Sequence, residues 1–110
     1  MDKTKALLAF AALSQPTRLD AFRLLVQAGE GGLLAGEISD ALDVRQNTMS
    51  SNLSILLNAG LIKNTREGRA IRYVADMDGL AGLLGFVMQD CCGGKPELCH
   101  PIIEQLTCSC

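Results

Sequence analysis

Two helical patterns joined by a very short connection constrain the fold of this chain more than any other feature. Leu34, Ile38 and Leu42 recur at every fourth position, which predicts a short helix. After the tight connection Asp43-Val44, a second helix is predicted from about residue 45 to residue 59. The apolar face of this second helix is formed by Met49, Leu53, Leu56 and Leu57. Together the two patterns indicate a helix-turn-helix.

A predicted β-hairpin follows the helix pair. Residues 61–65 and 70–75 have the pattern of two strands, and Gly68 supplies a permissive backbone in the turn between them. One more helix is predicted over residues 78–89. Because two helices are also predicted before the pair, the order is four helices, a hairpin and a helix. This order predicts a mainly α fold with a β-hairpin wing, a winged helix-turn-helix, over residues 1–90.

The helices at the two ends of this domain predict a homodimer. Residues 4–13 are apolar nearly all round, which is typical of a helix that is buried on more than one side. A chain of 110 residues of which 48% are apolar has only a small core. The second side of the first helix is therefore predicted to meet another subunit. Gly82 and Gly85 are poor helix residues that are tolerated where a partner helix approaches closely.

Charge is unevenly distributed along the chain. The whole chain carries a formal charge of −2, which does not by itself suggest nucleic acid. Residues 45–72 contain five basic residues and one acidic residue, so this segment carries +4 and the remainder carries −6. A basic segment on an otherwise acidic chain predicts contact with nucleic acid at the longer helix of the pair and at the wing.

The outward face of the longer helix is polar but uncharged. Beside Arg45, it is predicted to present Gln46, Asn47, Thr48, Ser50, Ser51 and Asn52. A solvated face ordinarily uses Lys, Glu and Arg, whereas Ser, Thr and Asn cost helix stability unless their hydrogen bonds are used. Short amides and hydroxyls suit base edges and phosphates in a major groove. These residues are predicted to bind DNA, and the alternative is a polar face with no partner.

The predicted hairpin carries three arginines. Arg66 and Arg69 lie at its tip, and Arg72 follows along the second strand. Guanidinium groups in this position suit phosphates or a minor groove. The alternative is a solvated turn. Arg66 and Arg69 are predicted to bind DNA because the turn follows a candidate recognition helix.

Four stretches of the chain resemble the ArsR/SmtB family of metal-responsive repressors. They are residues 15–19 (QPTRL), 46–53 (QNTMSSNL), 57–61 (LNAGL) and 66–73 (REGRAIRY). The resemblance covers about residues 5–90. It implies a homodimer built on the first and last helices. It also implies that the dimer binds an operator, expected to be an inverted repeat, without ligand and releases it when a metal binds.

The sequence departs from that family at the positions where metal is often bound. Leu34 and Gly36 stand where many members have a Cys-x-Cys pair. The Asp and His pairs that bind zinc on the last helix of other members are absent, and the only histidine is His100. Asn52 replaces a histidine that is often found in the recognition helix. Any sensing chemistry is therefore expected elsewhere in the chain.

All five cysteines lie in residues 91–110, which are predicted to form a sensor tail. Adjacent Cys91 and Cys92 seldom bond to one another, because the ring is strained, but they can hold a soft ion together. Cys99 can return to them as a third thiolate. Three thiolates with no obligatory fourth ligand fit pyramidal arsenite or antimonite, whereas zinc prefers four ligands. The Cys-Cys-x6-Cys spacing also resembles the C-terminal arsenite sites of some ArsR repressors.

Other interpretations of the tail stay open. Cys91, Cys92 and Cys99, joined by His100, by Cys108 or by Cys110, would make a four-coordinate site for cadmium, lead or zinc. The tail also fits a redox switch that forms disulfides. Cys108 and Cys110 are interpreted as accessory ligands.

Several classes of protein are not expected. The apolar run at residues 6–13 is short for a signal peptide, and no run approaches the length of a membrane span. The chain is therefore expected to be cytoplasmic and to have no membrane partner. In the cytoplasm, structural disulfides are rare. It is not expected to be an enzyme, because it has neither a Cys-x5-Arg loop nor a redox Cys-x-x-Cys pair.

Overall fold

Helices dominate the computed structural model, which describes residues 1–89 and 96–106. In chain order the elements are α1 Lys3–Leu13, α2 Pro16–Ala28, a short 3-10 helix Gly29–Gly31, β1 Leu33–Leu34, α3 Ala35–Leu42, α4 Gln46–Asn58, β2 Ile62–Glu67, β3 Ala70–Ala75, α5 Met77–Val87 and α6 Pro96–Leu106. None of these helices is long and apolar enough to cross a lipid bilayer. The predicted mainly α fold with a β wing is confirmed.

Polar side chains fix where three of the helices begin. The side chains of Asp2, Gln15 and Asp76 each accept a hydrogen bond from the backbone N–H three residues on, at 2.8, 2.8 and 3.0 Å. Each bond satisfies a donor that the first turn of a helix leaves unpaired. Pro16 follows Gln15 directly and suits the first helical position, where its missing N–H costs nothing.

The wing is a three-stranded antiparallel sheet with the strand order β1-β3-β2. The hairpin pairs Glu67 with Ala70, so only two residues form the turn, and Gly68 adopts a φ of 64° there. The first strand thus runs to Glu67, two residues beyond its predicted end. The third strand, β1, pairs Leu33 with Tyr73 and was not predicted, because two residues are too few to show an alternating pattern.

The core lies where α2, α3 and α4 meet the first residues of β2. Its fully buried larger side chains are Leu25, Ile38, Met49, Leu53, Leu56 and Leu61. On α1, Ala6, Ala9 and Ala12 face this core and are also buried. Because alanine side chains are short, the backbone of α1 can pack close to its neighbours. Only one side of α1 is covered in this way.

A helix in the tail departs from the sequence interpretation. No helix is predicted in the tail from the sequence, yet residues 96–106 form α6, with Pro101 inside the helix. Leu98, Ile102 and Leu106 recur at every fourth position, which is a helical pattern that the two prolines obscured. Pro96 suits a first helical turn, and Glu97 complements the helix dipole there.

Candidate nucleic-acid interface

A two-helix unit with a three-residue connection positions the candidate recognition helix. Between α3 and α4, Asp43 adopts the left-handed conformation (φ 53°, ψ 50°), and the N–H of Val44 donates to the carbonyl of Ser39 at 3.0 Å. Ile38 of α3 and Met49 of α4 have no exposed surface. The backbone reversal and the shared core therefore fix α4 against α3.

The exposed face of the first half of α4 is polar and uncharged, as predicted for five of its residues. Gln46, Asn47, Thr48, Ser50 and Ser51 are exposed, with Arg45 beside them at the helix N-cap. The side chain of Asn47 accepts a hydrogen bond from the backbone N–H of Thr48 at 2.8 Å. The hydroxyl of Ser51 donates to the backbone carbonyl of Asn47 at 3.3 Å. Rigid attachment to the core and this polar surface suit insertion into a groove of DNA.

The prediction that Asn52 belongs to the outward face is wrong. Its side chain is only 8% exposed, and its amide oxygen accepts a hydrogen bond from the Nη1 of Arg18 at 3.2 Å. A helix turns 100° per residue, so Asn52 lies on the same side as Met49 and Leu56. The spacing of these three residues in the sequence contained this signal. The role of Arg18 itself was missed.

The wing presents two of its three arginines to solvent. Arg69 is exposed in the turn, and Arg66 is exposed near the end of β2. Arg72 instead bonds to Glu67 at 2.8 Å and donates to the backbone carbonyl of Gly31 at 3.0 Å. The hydrogen bond to Glu67 raises the pKa of the Arg72 guanidinium. Arg72 therefore ties the wing to the loop before β1.

The ion pair between Arg72 and Glu67 leaves the other charges of the candidate interface all positive. Glu67 is the only acidic residue of the basic segment 45–72, and Arg72 neutralises it. The four remaining cations, at Arg45, Lys63, Arg66 and Arg69, are all exposed. Exposed basic side chains that are not paired with acidic ones favour contacts with phosphates.

The predicted metal ligands fall mostly outside the described residues. Cys91, Cys92, Cys108 and Cys110 lie there, so their part in a site stays a prediction. Cys99 lies on α6, is 6% exposed and is disulfide-bonded. Within residues 1–89 and 96–106, no group of three or more Cys, His, Asp or Glu side chains is placed to hold a metal.

Two apolar faces are exposed on helices that pack together. On α1, Leu7, Leu8 and Phe10 are 58, 55 and 47% exposed. On α5, Leu84 and Val87 are similarly exposed, and α5 packs against α1. Large apolar side chains exposed on two packed helices are typical of an interaction site.

Sequence comparison identifies relatives that regulate transcription. Residues 13–65 match the family described as a helix-turn-helix domain. CmtR of Mycobacterium tuberculosis, an HTH-type transcriptional regulator, is 36% identical over 71% of this chain, which spans 64% of the length of CmtR. The biofilm growth-associated repressor of Agrobacterium fabrum is 30% identical over 86% of this chain and 79% of its own. A relative from Halobacterium salinarum, named ArsR for the arsenical resistance operon, is 38% identical over 67% of this chain and 57% of its own.

Solved structures share the fold. An ArsR-like transcriptional regulator from Rhodococcus sp. RHA1 superposes with a TM-score of 0.70 at 25% identity, over 97% of this chain and 96% of its own. A winged helix-turn-helix DNA-binding domain from Mycobacterium bovis superposes with a TM-score of 0.64 at 27% identity, over 88% of this chain and 84% of its own. The Mycobacterium bovis domain is homodimeric.

Proposed function

The chain belongs to the ArsR family of winged helix-turn-helix transcriptional regulators, and from this premise we propose that it is an operator-binding repressor that acts as a homodimer. The prediction that the chain is not an enzyme is confirmed, because this is a family of regulators. One observation carries the proposal of DNA binding: α4 presents five uncharged polar side chains, and the basic segment that contains α4 and the wing exposes four cations. A DNA-binding repressor acts in the cytoplasm, which is the location we propose.

In the proposed complex, α4 enters the major groove. Gln46, Asn47, Thr48, Ser50 and Ser51 would contact base edges or nearby phosphates, since their amides and hydroxyls both donate and accept. Arg45 would meet a phosphate at the start of the helix. Arg66 and Arg69 would contact phosphates or the minor groove next to the α4 site, because the first strand of the wing follows α4 after three residues and packs against it.

The proposed homodimer would bring two copies of α4 to an inverted repeat. Two recognition helices meet successive major grooves when their centres lie about 34–36 Å apart. The exposed apolar faces of α1 and α5 are the surfaces we assign to the dimer. Burial of one such Leu or Phe side chain contributes about 1.5–3 kcal/mol, and symmetry counts each side chain twice.

We propose arsenite or antimonite as the ligand that releases the operator. Cys91, Cys92 and Cys99 would bind it as three thiolates, with Cys108 and Cys110 as accessory residues. The thiol chemistry supports this choice, as does the relative named for the arsenical resistance operon. Since Cys99 is disulfide-bonded, the ligand set is complete only after that bond is reduced. A cadmium, lead or zinc response of the same tail is the alternative.

The joint between α4 and α5 offers a route from the tail to the recognition helix. The N–H of Asp76 donates to the carbonyl of Leu61 at 2.8 Å, and Gly79 of α5 lies directly against the backbone of Gly60. Cys91 follows shortly after the end of α5 in the sequence. Binding of the metalloid by the tail, if it strains the end of α5, would therefore displace the residues just after α4. A coupling of about 1–3 kcal/mol is typical of such a switch.

A thiol redox switch is a second candidate, favoured by the disulfide at Cys99. In this version, an oxidant such as peroxide converts thiols of the tail to disulfides, and a dithiol reductant reverses the change. The regulated partner, operator DNA, is the same. The two candidates differ only in what releases it.

Fluorescence anisotropy with the DNA upstream of the coding sequence tests these proposals together. The reduced protein should prefer this DNA over a random duplex of equal length, and failure to do so would exclude the repressor proposal. Arsenite added to the reduced protein should release the DNA if the tail is a metalloid sensor. Peroxide should release it, and dithiothreitol restore it, if the tail is a redox switch.

A further inference from the structure

We propose that Arg18 is the positioning residue that sets the orientation of the recognition helix relative to the dimer face. This proposal rests on the proposed function. The Nε of Arg18 donates to the backbone carbonyl of Ala12 at 2.7 Å, and its Nη1 donates to the side-chain oxygen of Asn52 at 3.2 Å. One planar guanidinium on α2 thus joins the end of α1 to the middle of α4.

The two acceptors are groups that need a donor. Ala12 is in the last turn of α1, where carbonyl groups have no partner within the helix. The negative end of the helix dipole also lies there and favours a cation. Asn52 is buried, so removal of Arg18 would leave its amide oxygen without a hydrogen-bond donor. Among the described residues, no carboxylate forms an ion pair with Arg18.

Arg18 is itself held in place by the start of α2. Its backbone N–H donates to the side chain of Gln15 at 2.8 Å, which fixes the first helical turn. The guanidinium is rigid and planar, so the N–H bonds of Nε and Nη1 that donate here point in fixed directions. A lysine at this position has a compact ammonium on a flexible stem and cannot reproduce both directions. The link therefore constrains the angle between α1 and α4 and also holds the two helices together.

The apolar packing around this link is open to solvent on one side. Leu8 of α1, Ile55 of α4 and Arg18 line a groove of about 240 Å³ between the helices. Leu8 and Ile55 are both substantially exposed. Because apolar packing is incomplete on this side, the two hydrogen bonds of Arg18 constrain the angle between α1 and α4 together with the buried alanines of α1.

The consequence concerns the spacing of the two recognition helices. The exposed side of α1 belongs to the proposed dimer face, and the exposed side of α4 belongs to the proposed DNA surface. A change in the angle between them in each subunit shifts both copies of α4 relative to the dimer axis. Arg18 thereby determines which separation of the two operator half-sites is preferred.

The variants Arg18→Lys and Asn52→Ala test this inference, with Arg23→Lys as the matched control. Arg23 is an exposed arginine on the same helix. Half-sites are first obtained by selection from random DNA, and operators are then made with their separation changed by one base pair in either direction. Wild type and Arg23→Lys should prefer one separation. Arg18→Lys and Asn52→Ala should each lose about tenfold affinity for it, as expected for one charged hydrogen bond, and the preference should flatten.

A merely structural role would lower the melting temperature without changing the preferred separation, and that outcome overturns the proposal. The double variant should lose little more than either single variant, because both changes break the same link. Additive losses also contradict it.

A second measurement needs no DNA and stays decisive if wild type has no sequence preference. Residual dipolar couplings report the angle between α1 and α4 in solution. This angle should differ from wild type in Arg18→Lys and in Asn52→Ala, and should be unchanged in Arg23→Lys. An unchanged angle in all three variants refutes the positioning role, independently of whether the protein is a repressor.

Discussion

The backbone carbonyl of Gly60 occupies the space that a Cβ atom on Gly79 would need. This contact brings the first turn of α5 against the loop that ends α4. The cap by Asp76 and its backbone hydrogen bond to Leu61 lie in the same joint. A glycine at position 79 is therefore required by close approach of two backbones, although glycine is a poor helix residue.

Gly79→Ala is expected to destabilise the protein by about 1–3 kcal/mol, because a backbone group must shift to admit the new methyl. Urea denaturation followed by circular dichroism measures the loss. Gly31→Ala is the control, since a Cβ there has no neighbour within 4 Å and the change should stay within about 0.5 kcal/mol. Equal stability of the two variants would show that the α4–α5 joint is not close-packed.

The left-handed residue in the helix-turn-helix gives a second test. Asp43 has a φ of 53°, a conformation that short polar side chains tolerate and β-branched ones do not. Asp43→Asn should leave stability nearly unchanged, while Asp43→Val should lose about 1–2 kcal/mol. Thermal unfolding of the two variants makes the comparison. A stable Asp43→Val variant would mean that the turn can adopt another geometry.

Replacements on α4 and on the wing should weaken DNA binding in different ways. The double change Ser50→Ala with Ser51→Ala should reduce preference for the operator while leaving binding to random DNA nearly the same. Arg66→Gln or Arg69→Gln should weaken binding to all sequences and reduce the salt slope by about 1. Anisotropy titrations at several salt concentrations separate the two effects. Loss of specificity in the arginine variants alone would reverse the assigned roles.

The apolar face of α1 is expected to carry the dimer. Changing Leu7 and Phe10 together to Ser should raise the dimer dissociation constant by at least about 100-fold, given about 1.5–3 kcal/mol for each buried apolar side chain. Sedimentation velocity over a range of concentrations measures this. Leu19→Ser is the control, since Leu19 is an exposed apolar residue on α2. An unchanged dimer in the double variant would move the interface elsewhere.

The tail should be required for release of DNA and dispensable for binding it. Under reducing conditions, Cys91→Ser, Cys92→Ser and Cys99→Ser should each bind the operator normally and fail to release it with arsenite. Cys108→Ser should have a smaller effect, because we interpret this residue as accessory. X-ray absorption should find three sulfur atoms around the arsenic. A surviving arsenite response in the Cys91/Cys92 double variant would exclude this site.

The sequence by itself determined the order of the first five helices and the hairpin, and the chemical character of the candidate surface. Periodic apolar positions define α2, α3, α4 and α5, because a helix must bury one face. The uncharged polar residues of α4 and the surplus of arginine in the wing are properties of composition at local spacing. None of these depends on which distant residues come together.

The tertiary structure decided what distant residues do to one another. Strand β1 exists only because Leu33 pairs with Tyr73, forty residues away. From the sequence, Arg72 is a candidate phosphate contact, but in the folded chain its guanidinium bonds to Glu67 and to the carbonyl of Gly31. Local spacing already places Asn52 on the buried side of α4, but its hydrogen-bond partner, Arg18, is 34 residues earlier in the chain and is decided by the tertiary structure. Hydrogen bonds across such separations depend on packing angles, which local periodicity does not specify.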